Sequence, residues 1–270
     1  MKTKKFKFQA SIIVINYNNE KYLLRSLNSL KQQLIKNYEV ILVDNNSSDN
    51  SLKIANEFLK KKEIENFKIL NNKYKTKFGS FNQMNCILSG LKVCKGELIF
   101  FLDSDDYFKK TKIKKVLKFF KKNKNLNLTF DLSYKFFNKN NKKKIEVKKR
   151  NKYLIPWPSF PSQSCLIIKR KYLKKIINKI IVKKYPNIWF DFRLVSKAFY
   201  DFGEIKYLKE HLTYYQQHHK SESIKFTKFS KNWWIRRKEA HQFIKNEIVK
   251  KNKKIFSVDY ILTHFINLFL

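Results

Sequence analysis

Gly96-Glu97-Leu98-Ile99-Phe100-Phe101-Leu102-Asp103-Ser104-Asp105-Asp106 sets an unbroken apolar run ahead of three aspartates. Such a run, bounded by polar residues, reads as a strand buried on both faces of a parallel sheet. The carboxyl edge of an open α/β sheet is where loops converge on a crevice and ligands bind. Aspartates this close repel one another unless a cation or hydrogen-bond donors hold them. Hard divalent ions such as Mg²⁺ or Mn²⁺ take carboxylate oxygen and keep positions open for phosphate. Asp-Ser-Asp-Asp also suits a solvated turn or a helix start. The chain upstream has to decide between the two.

Upstream, the same pattern repeats. Ser11 to Ile15 is a short apolar strand ending in Asn16-Tyr17-Asn18-Asn19, and Leu23, Leu27, Leu30 and Leu34 then recur at helical spacing. Glu39 to Val43 predicts a second strand, which ends in Asp44-Asn45-Asn46-Ser47-Ser48-Asp49. A helix carrying Leu52, Ala55, Phe58 and Leu59 follows, then a strand over Phe67 to Leu70 and a helix from about Asn82 to Cys94. Strands alternating with helices imply a parallel sheet with right-handed crossovers. The polar residues that end these strands suit a nucleotide. Asp44 can accept from a base N–H or a ribose hydroxyl, Asn45, Ser47 and Ser48 offer small polar groups, and Asp49 reads as a helix cap.

At 270 residues the chain can bury a substantial core as one large or two modest domains. Its formal charge of +39 ordinarily suggests nucleic acid or an anionic membrane. Only six of the sixty basic residues are Arg, however, and Lys, Asn, Ile and Phe are all abundant, as an AT-rich genome would produce. No arginine-rich stripe or nucleic-acid motif stands out, so nucleic acid is not an expected partner. Cys86, Cys94 and Cys165 sit in apolar segments without metal spacing and read as buried thiols in a reducing compartment. Met1 to Gln9 lacks the apolar core of a signal peptide, and no run reaches the roughly 18 apolar residues of a membrane span. The expected location is the cytoplasm.

In three places the chain resembles the family 2 glycosyltransferases, which have the GT-A fold. Ser11-Ile12-Ile13-Val14-Ile15-Asn16-Tyr17-Asn18 resembles the family's opening strand and Tyr-Asn pair; Val43 to Asp49 resembles its Asp-Asp-Gly-Ser-Thr-Asp turn; and Gly96 to Asp106 resembles its Gly-Glu strand followed by Asp-x-Asp-Asp. Order and separation agree across about residues 10 to 110, and weaker matches extend to about residue 223. There are departures. Ile15 replaces the usual Pro, Asn45 the second Asp and Asn46 the turn's Gly, while Ile87 and Leu88 stand where a basic residue and an Asn are common. The contacts those residues would make to the donor are then missing or supplied by Gln83 or Asn85.

The resemblance implies a Rossmann-like, mostly parallel sheet flanked by helices, with a helical C-terminal tail. It divides the chain into a nucleotide-sugar-binding half (1–110), an acceptor-binding and catalytic half (111–223) of the same domain, and a C-terminal extension (224–270). Asn16, Tyr17, Asp44, Asn45, Gln83 and Asp103 would hold the donor, with Asp44 on the base and Asp103 on the ribose. Asp105 would hold the Mn²⁺ or Mg²⁺ that bridges the donor diphosphate. Tyr215, His218, Ser221 and Ser223 align with a Tyr-x-x-His-x-x-Ser-x-Ser ending, and His218 would contact the diphosphate or complete the metal's shell.

The second half offers fewer signals. Lys139 to Lys149 reads as a solvated hairpin. The prolines of Pro156-Trp157-Pro158-Ser159-Phe160-Pro161 force an extended path, and Trp157 and Phe160 suit a sugar face and core packing equally. Ser164 to Ile168, Glu204 to Leu208 and Leu212 to Gln217 predict strands. Asp191 is the only carboxylate between Glu146 and Asp201. Family members carry an acidic pair at the start of this helix, where Ile188 and Trp189 stand, so Asp191 is either the base after a local shift or structural. Asp201 and Glu204 are the fallback candidates. Beyond Lys225, Phe229, Trp233, Trp234, Arg236, Arg237 and His241 fall on one predicted helix, and Phe256 to Leu270 is apolar. Three fates are open to this tail: packing on the domain, oligomerisation, or lying on a membrane surface.

The expected activity is an inverting, metal-dependent transfer from a nucleotide-diphosphate sugar, in first place a UDP-sugar. The acceptor is a saccharide, free or lipid-linked, in bacterial surface-glycan assembly. Two rivals are nucleotidyl transfer, which lacks its usual Gly/Arg/Lys-rich phosphate loop here, and a non-catalytic sugar- or membrane-binding subunit.

Overall fold

The computed structural model describes residues 6–137, 141–148, 150–151, 153–219, 221–249 and 257–270. Lys139, Asn140 and Lys149 of the charge run, Phe256, and the side chain of Ser223 lie outside the described residues. The first half alternates β1 (Phe8–Asn16), α1 (Glu20–Lys31), β2 (Tyr38–Asp44), α2 (Ser51–Lys60), β3 (Phe67–Asn71), α3 (Gly79–Val93) and β4 (Gly96–Asp103). Then follow β5 (Tyr107–Phe108), α4 (Lys112–Lys122), β6 (Leu128–Phe136), β7 (Lys142–Lys144), β8 (Leu166–Lys169), α5 (Arg170–Ile180), α6 (Phe190–Phe202), β9 (Tyr207–Gln216), α7 (Lys231–Phe243) and α8 (Val258–Ile266).

Among the described residues, the nine strands join one sheet in the order β3-β2-β1-β4-β8-β6-β9-β5, with β7 on β6. β3, β2, β1 and β4 are parallel; β8 runs against β4 and β6, and β9 is again parallel to β6. Alternate residues of the central strands feed two cores. Ile13, Ile41, Ile99 and Phe101 face one layer with α3, α5, α6 and α7. Ile12, Val40, Leu42 and Phe100 face the other with α1, α2 and α4. That two-sided burial is why these strands read as continuous apolar runs.

Two buried groups lock β4 against β1. Glu39 accepts from Ser11 Oγ at 2.6 Å and from the Gly96 N–H at 3.2 Å, and also from the Lys95 N–H. A Cβ at Gly96 would lie 2.5 Å from the Ala10 carbonyl carbon, so only glycine lets the strands approach there. The three cysteines are free and buried, and burial pushes the Cys86 and Cys165 thiols up to about 12.

Several boundaries differ from the sequence reading. α1 ends at Lys31, so Leu34 falls past it and is exposed. The strand predicted from Ser164 begins at Leu166, because Gln163–Cys165 forms a 3-10 turn. The two predicted strands over Glu204–Leu208 and Leu212–Gln217 are one, β9, whose register against β6 shifts around Leu132. Trp157 is core, not an open sugar platform: it is buried against Phe192 and His241 at 5.4 and 4.9 Å between ring centroids. The tail folds back. Ala240, Phe243 and Ile244 join the core of the sheet, while Asp259 at the start of α8 bonds His241 Nε2 at 2.8 Å and pairs with Arg237. Among the described residues no helix is long and apolar enough to cross a membrane.

Candidate active site

A cleft of about 1000 Å³ opens at the carboxyl ends of β1, β2 and β4, walled on its far side by the start of α6, the end of β9 and α7. That places it at the edge of the sheet where an α/β protein presents its loops. Its size suits a ligand bulkier than a single sugar.

The three aspartates after β4 do different work. Asp106 is fully buried, and its Oδ1 accepts from the Gln216 N–H at 2.8 Å, tying this loop to the end of β9. Asp105 and His218 meet on the cleft wall with Oδ2 and Nε2 3.0 Å apart. Tyr22 stacks on the His218 ring at 5.2 Å, and Arg25 donates to the Asp105 carbonyl at 2.8 Å and to Gln216 Oε1 at 3.0 Å. The Asp103 N–H donates to Ser164 Oγ at 3.0 Å, and Asp103 Oδ1 accepts from Gln163 Nε2 at 3.1 Å. Burial, then the charges of Asp105 and Asp191, push the Asp103 carboxyl up to about 8. Beneath them, Lys112 and Asp131 form a fully buried ion pair at 2.9 Å, and the Lys112 ammonium donates to the Ser164 carbonyl at 2.6 Å. The segment that holds Asp103 is thereby pinned from below.

On the β1–β2 side, Asp44 and Asn16 lie beneath the cleft wall rather than on it. Both are fully buried, and the Asp44 carboxylate accepts from Asn16 Nδ2 (2.7 Å), the Ser47 N–H (2.8 Å) and Ser47 Oγ (2.6 Å). Asn45, the next residue, reaches the cleft instead, with Tyr17 and Gln83. Asn72 Nδ2 donates to Asn45 Oδ1 at 2.9 Å, while Gln83 Oε1 is buried without a partner among the described residues. Asn46, standing where the glycine of the related turn would be, has φ 57°, a left-handed conformation that Asn tolerates better than most residues. Asp49 accepts from the Glu20 and Ser51 N–H groups at 2.8 and 3.0 Å, binding the starts of α1 and α2 together.

Across the cleft, Asp191 sits in the first turn of α6, half-buried beside Trp189, with its Oδ1 accepting from the Phe192 N–H at 2.7 Å. Burial raises its carboxyl above the usual range, and the nearby Arg236 guanidinium opposes that. Asp201 and Glu204 do not line the cleft; Asp201 is occupied by Tyr172 and Lys197. The loop that delivers Trp189 and Asp191 is built around Arg193. This fully buried side chain donates to the carbonyls of Ile180, Val182, Tyr185 and Ile188 at 2.6–3.1 Å. Arg193→Met strands four buried carbonyls at about 1–3 kcal/mol each before relaxation. We expect a net loss of about 3 kcal/mol or more, seen as a lower urea midpoint; an unchanged midpoint would mean that water replaces the guanidinium freely.

Do these residues fit a divalent ion? Among the described residues no group of three His, Cys, Asp or Glu is arranged to hold a metal. Asp105 and His218 do meet at one point of the wall, and Asp103 adds a second carboxyl nearby whose ionisation burial and repulsion oppose. One or two carboxylates completed by substrate phosphate is how Mg²⁺ is commonly bound. The donor set fits an ion carried in part by a diphosphate.

Sequence reading overlooked Tyr22, Gln163, Trp189 and Arg236 as residues that line the cleft, and Arg25, which braces its wall. One signal was available. In a chain where lysine supplies almost every positive charge, each rare arginine marks a place that needs a planar fork. Arg25 and Arg193 fit that pattern, each donating to more than one acceptor.

The family model described as Glycosyl transferase family 2 matches residues 11–177. An uncharacterized glycosyltransferase of Nostoc sp. is 27% identical over 220 residues, 77% of this chain and 64% of that protein. The UDP-Glc:alpha-D-GlcNAc-diphosphoundecaprenol beta-1,3-glucosyltransferase WfaP of Escherichia coli is 37% identical over 109 residues, 40% of each chain. The chain thus spans under two thirds of both relatives. Among solved structures, that of Staphylococcus aureus TarS 1-349 in complex with UDP-GlcNAc superposes with a TM-score of 0.65 at 20% identity, covering 96% of this chain and 73% of that one.

Proposed function

Since this chain belongs to glycosyl transferase family 2, we propose that it transfers a sugar from a UDP-sugar to a saccharide hydroxyl, with inversion, in the assembly of a bacterial surface glycan. One observation carries the reading. A single cleft sets the Asp103 and Asp105–His218 groups on one wall and a desolvated carboxylate, Asp191, on the other. The names of relatives that act on UDP-linked donors and a lipid-diphosphate acceptor support the choice of substrates.

The roles follow from position. Asn45, Tyr17 and Gln83 face the base, while Asp44 and Asn16 act one layer below by holding the turn that presents Asn45. Asp103 reaches toward the ribose. Asp105 and His218 would hold Mn²⁺ or Mg²⁺, which when bound neutralises charge on the leaving diphosphate. Asp191 takes the proton of the attacking hydroxyl, its basicity raised by burial beside Trp189. Trp189 walls the acceptor side, and its ring comes within 3.2 Å of where a Cβ at Gly79 would stand, so glycine there leaves the indole its place.

Membrane contact is proposed for the extreme C-terminus, where Leu262, Phe265, Leu268 and Phe269 are exposed on a chain of high positive charge. Co-sedimentation with anionic vesicles should fall when residues 257–270 are removed, and vesicle binding unchanged by that truncation would dismiss it. The transfer assay uses UDP-sugars, Mn²⁺ and a panel of saccharide acceptors, read by product mass. A glycosyl increment with release of UDP is expected. A nucleotidyl increment would replace this reading by nucleotidyl transfer, and donor binding with no product or UDP release would make the protein a binding subunit.

A further inference from the structure

Arg236 lines the cleft, and sugar transfer as described leaves it without a task. It projects from α7 into the cleft, held over the Phe226 ring at 4.9 Å. A guanidinium carries five N–H donors in a rigid fork. Among the described residues no acceptor hydrogen-bonds it, and no carboxylate lies within ion-pair distance of it. The neighbouring acids are otherwise engaged: Glu239 accepts from the Asn187 N–H at 2.8 Å and from Asn187 Nδ2 at 2.6 Å, and Glu222 pairs with Lys225. Asp191 is close enough for the charges to feel each other, yet its Oδ1 is turned to the Phe192 N–H. Arg236 is only partly buried, and its fork faces the cleft, so it is open to an acceptor that arrives with a ligand.

We propose that Arg236 is an anion subsite for the acceptor, so that the saccharide receiving the sugar carries an oxyanion, a phosphate or a carboxylate, beside the reacting hydroxyl. This rests on Asp191 marking the acceptor side. The hydroxyl then faces Asp191 while the anion faces the guanidinium, and two contacts orient one hydroxyl among several. Anion binding has a second effect. An unmet Arg236 draws on the Asp191 carboxylate and weakens it as a base; a ligand anion takes up that charge.

The test reads the arginine itself. The chain has only six arginines, so ¹⁵N-arginine labelling gives a small set of Nε–H signals, that of Arg236 being identified by its loss in Arg236→Gln and, independently, in Arg236→Lys. Full-length protein saturated with UDP and Mg²⁺, which keeps the donor side filled, is titrated with methyl phosphate and separately with acetate. A saturable shift of the Arg236 signal, with Arg25 and Arg193 unmoved, is the expected result, and the stronger of the two probes names the anion. An Arg236 signal that stays put with both probes, or moves only in step with the other arginines, overturns the subsite. Failure of UDP to bind would instead count against the donor reading, and the Arg236 shift would still be read in its absence.

Discussion

Asp191→Asn is expected to lower sugar transfer by roughly 10²–10⁴-fold while UDP-sugar affinity stays at the wild-type value. The substitution keeps the shape of the side chain, and the amide oxygen can still accept from the Phe192 N–H as Oδ1 does now. What it removes is the proton acceptor. A sugar hydroxyl must lose its proton as the new glycosidic bond forms, and neither Asp201 nor Glu204 lines the cleft to take it. The same assignment has a pH signature. Because burial raises the Asp191 carboxyl, the wild-type rate should fall on acidification at a pH above the ordinary carboxylate range of about 4. Below that limb the carboxyl is protonated and cannot act as base. The limb should be missing from whatever residual rate Asp191→Asn retains. Transfer at a near wild-type rate, with the limb still present, would move the base elsewhere.

Asp105→Ala should cost about as much, roughly 10³-fold in transfer, and should weaken UDP-sugar binding as well. The magnitude follows from the several kcal/mol that cation stabilisation of a leaving phosphate typically supplies, at about 1.4 kcal/mol per factor of ten. Removing the carboxylate also frees His218, which keeps its stack on Tyr22 but loses its partner at 3.0 Å. The fold should survive, because the neighbouring Asp106 and Arg25 maintain the loop through Gln216. Chelation with EDTA should reproduce the loss in the wild type, and His218→Ala should fall between the two proteins. Full activity in EDTA together with an active Asp105→Ala would dismiss the metal.

The first half was legible along the chain for a physical reason. Its strands are buried on both faces, so each appears as a run of apolar residues, and each ends in the polar residues that line the sheet edge. Local patterning therefore located β1, β2 and β4 and put Asn45, Asp103 and Asp105 at one edge. It could not tell Asp44 from Asn45. Successive side chains of a strand point to opposite faces, and only the packed sheet decides that Asp44 turns inward to Asn16 and Ser47 while Asn45 reaches the cleft. The second half was less legible because its strands leave chain order, with β8 entering between β4 and β6 and β9 joining as one long strand where polar residues had suggested two. Trp157 shows the limit well: proline-flanked aromatics read alike on a surface and in a core, and packing against Phe192 and His241, far away in sequence, chose the core. The chain by itself thus determined the alternating α/β architecture and the chemical groups at its active edge. Tertiary structure alone decided which of them meet, bringing Asp105 to His218 across more than a hundred residues and Arg236 of the tail into the cleft of Asp191, because side-chain convergence depends on packing between segments that carry no mark of one another in sequence.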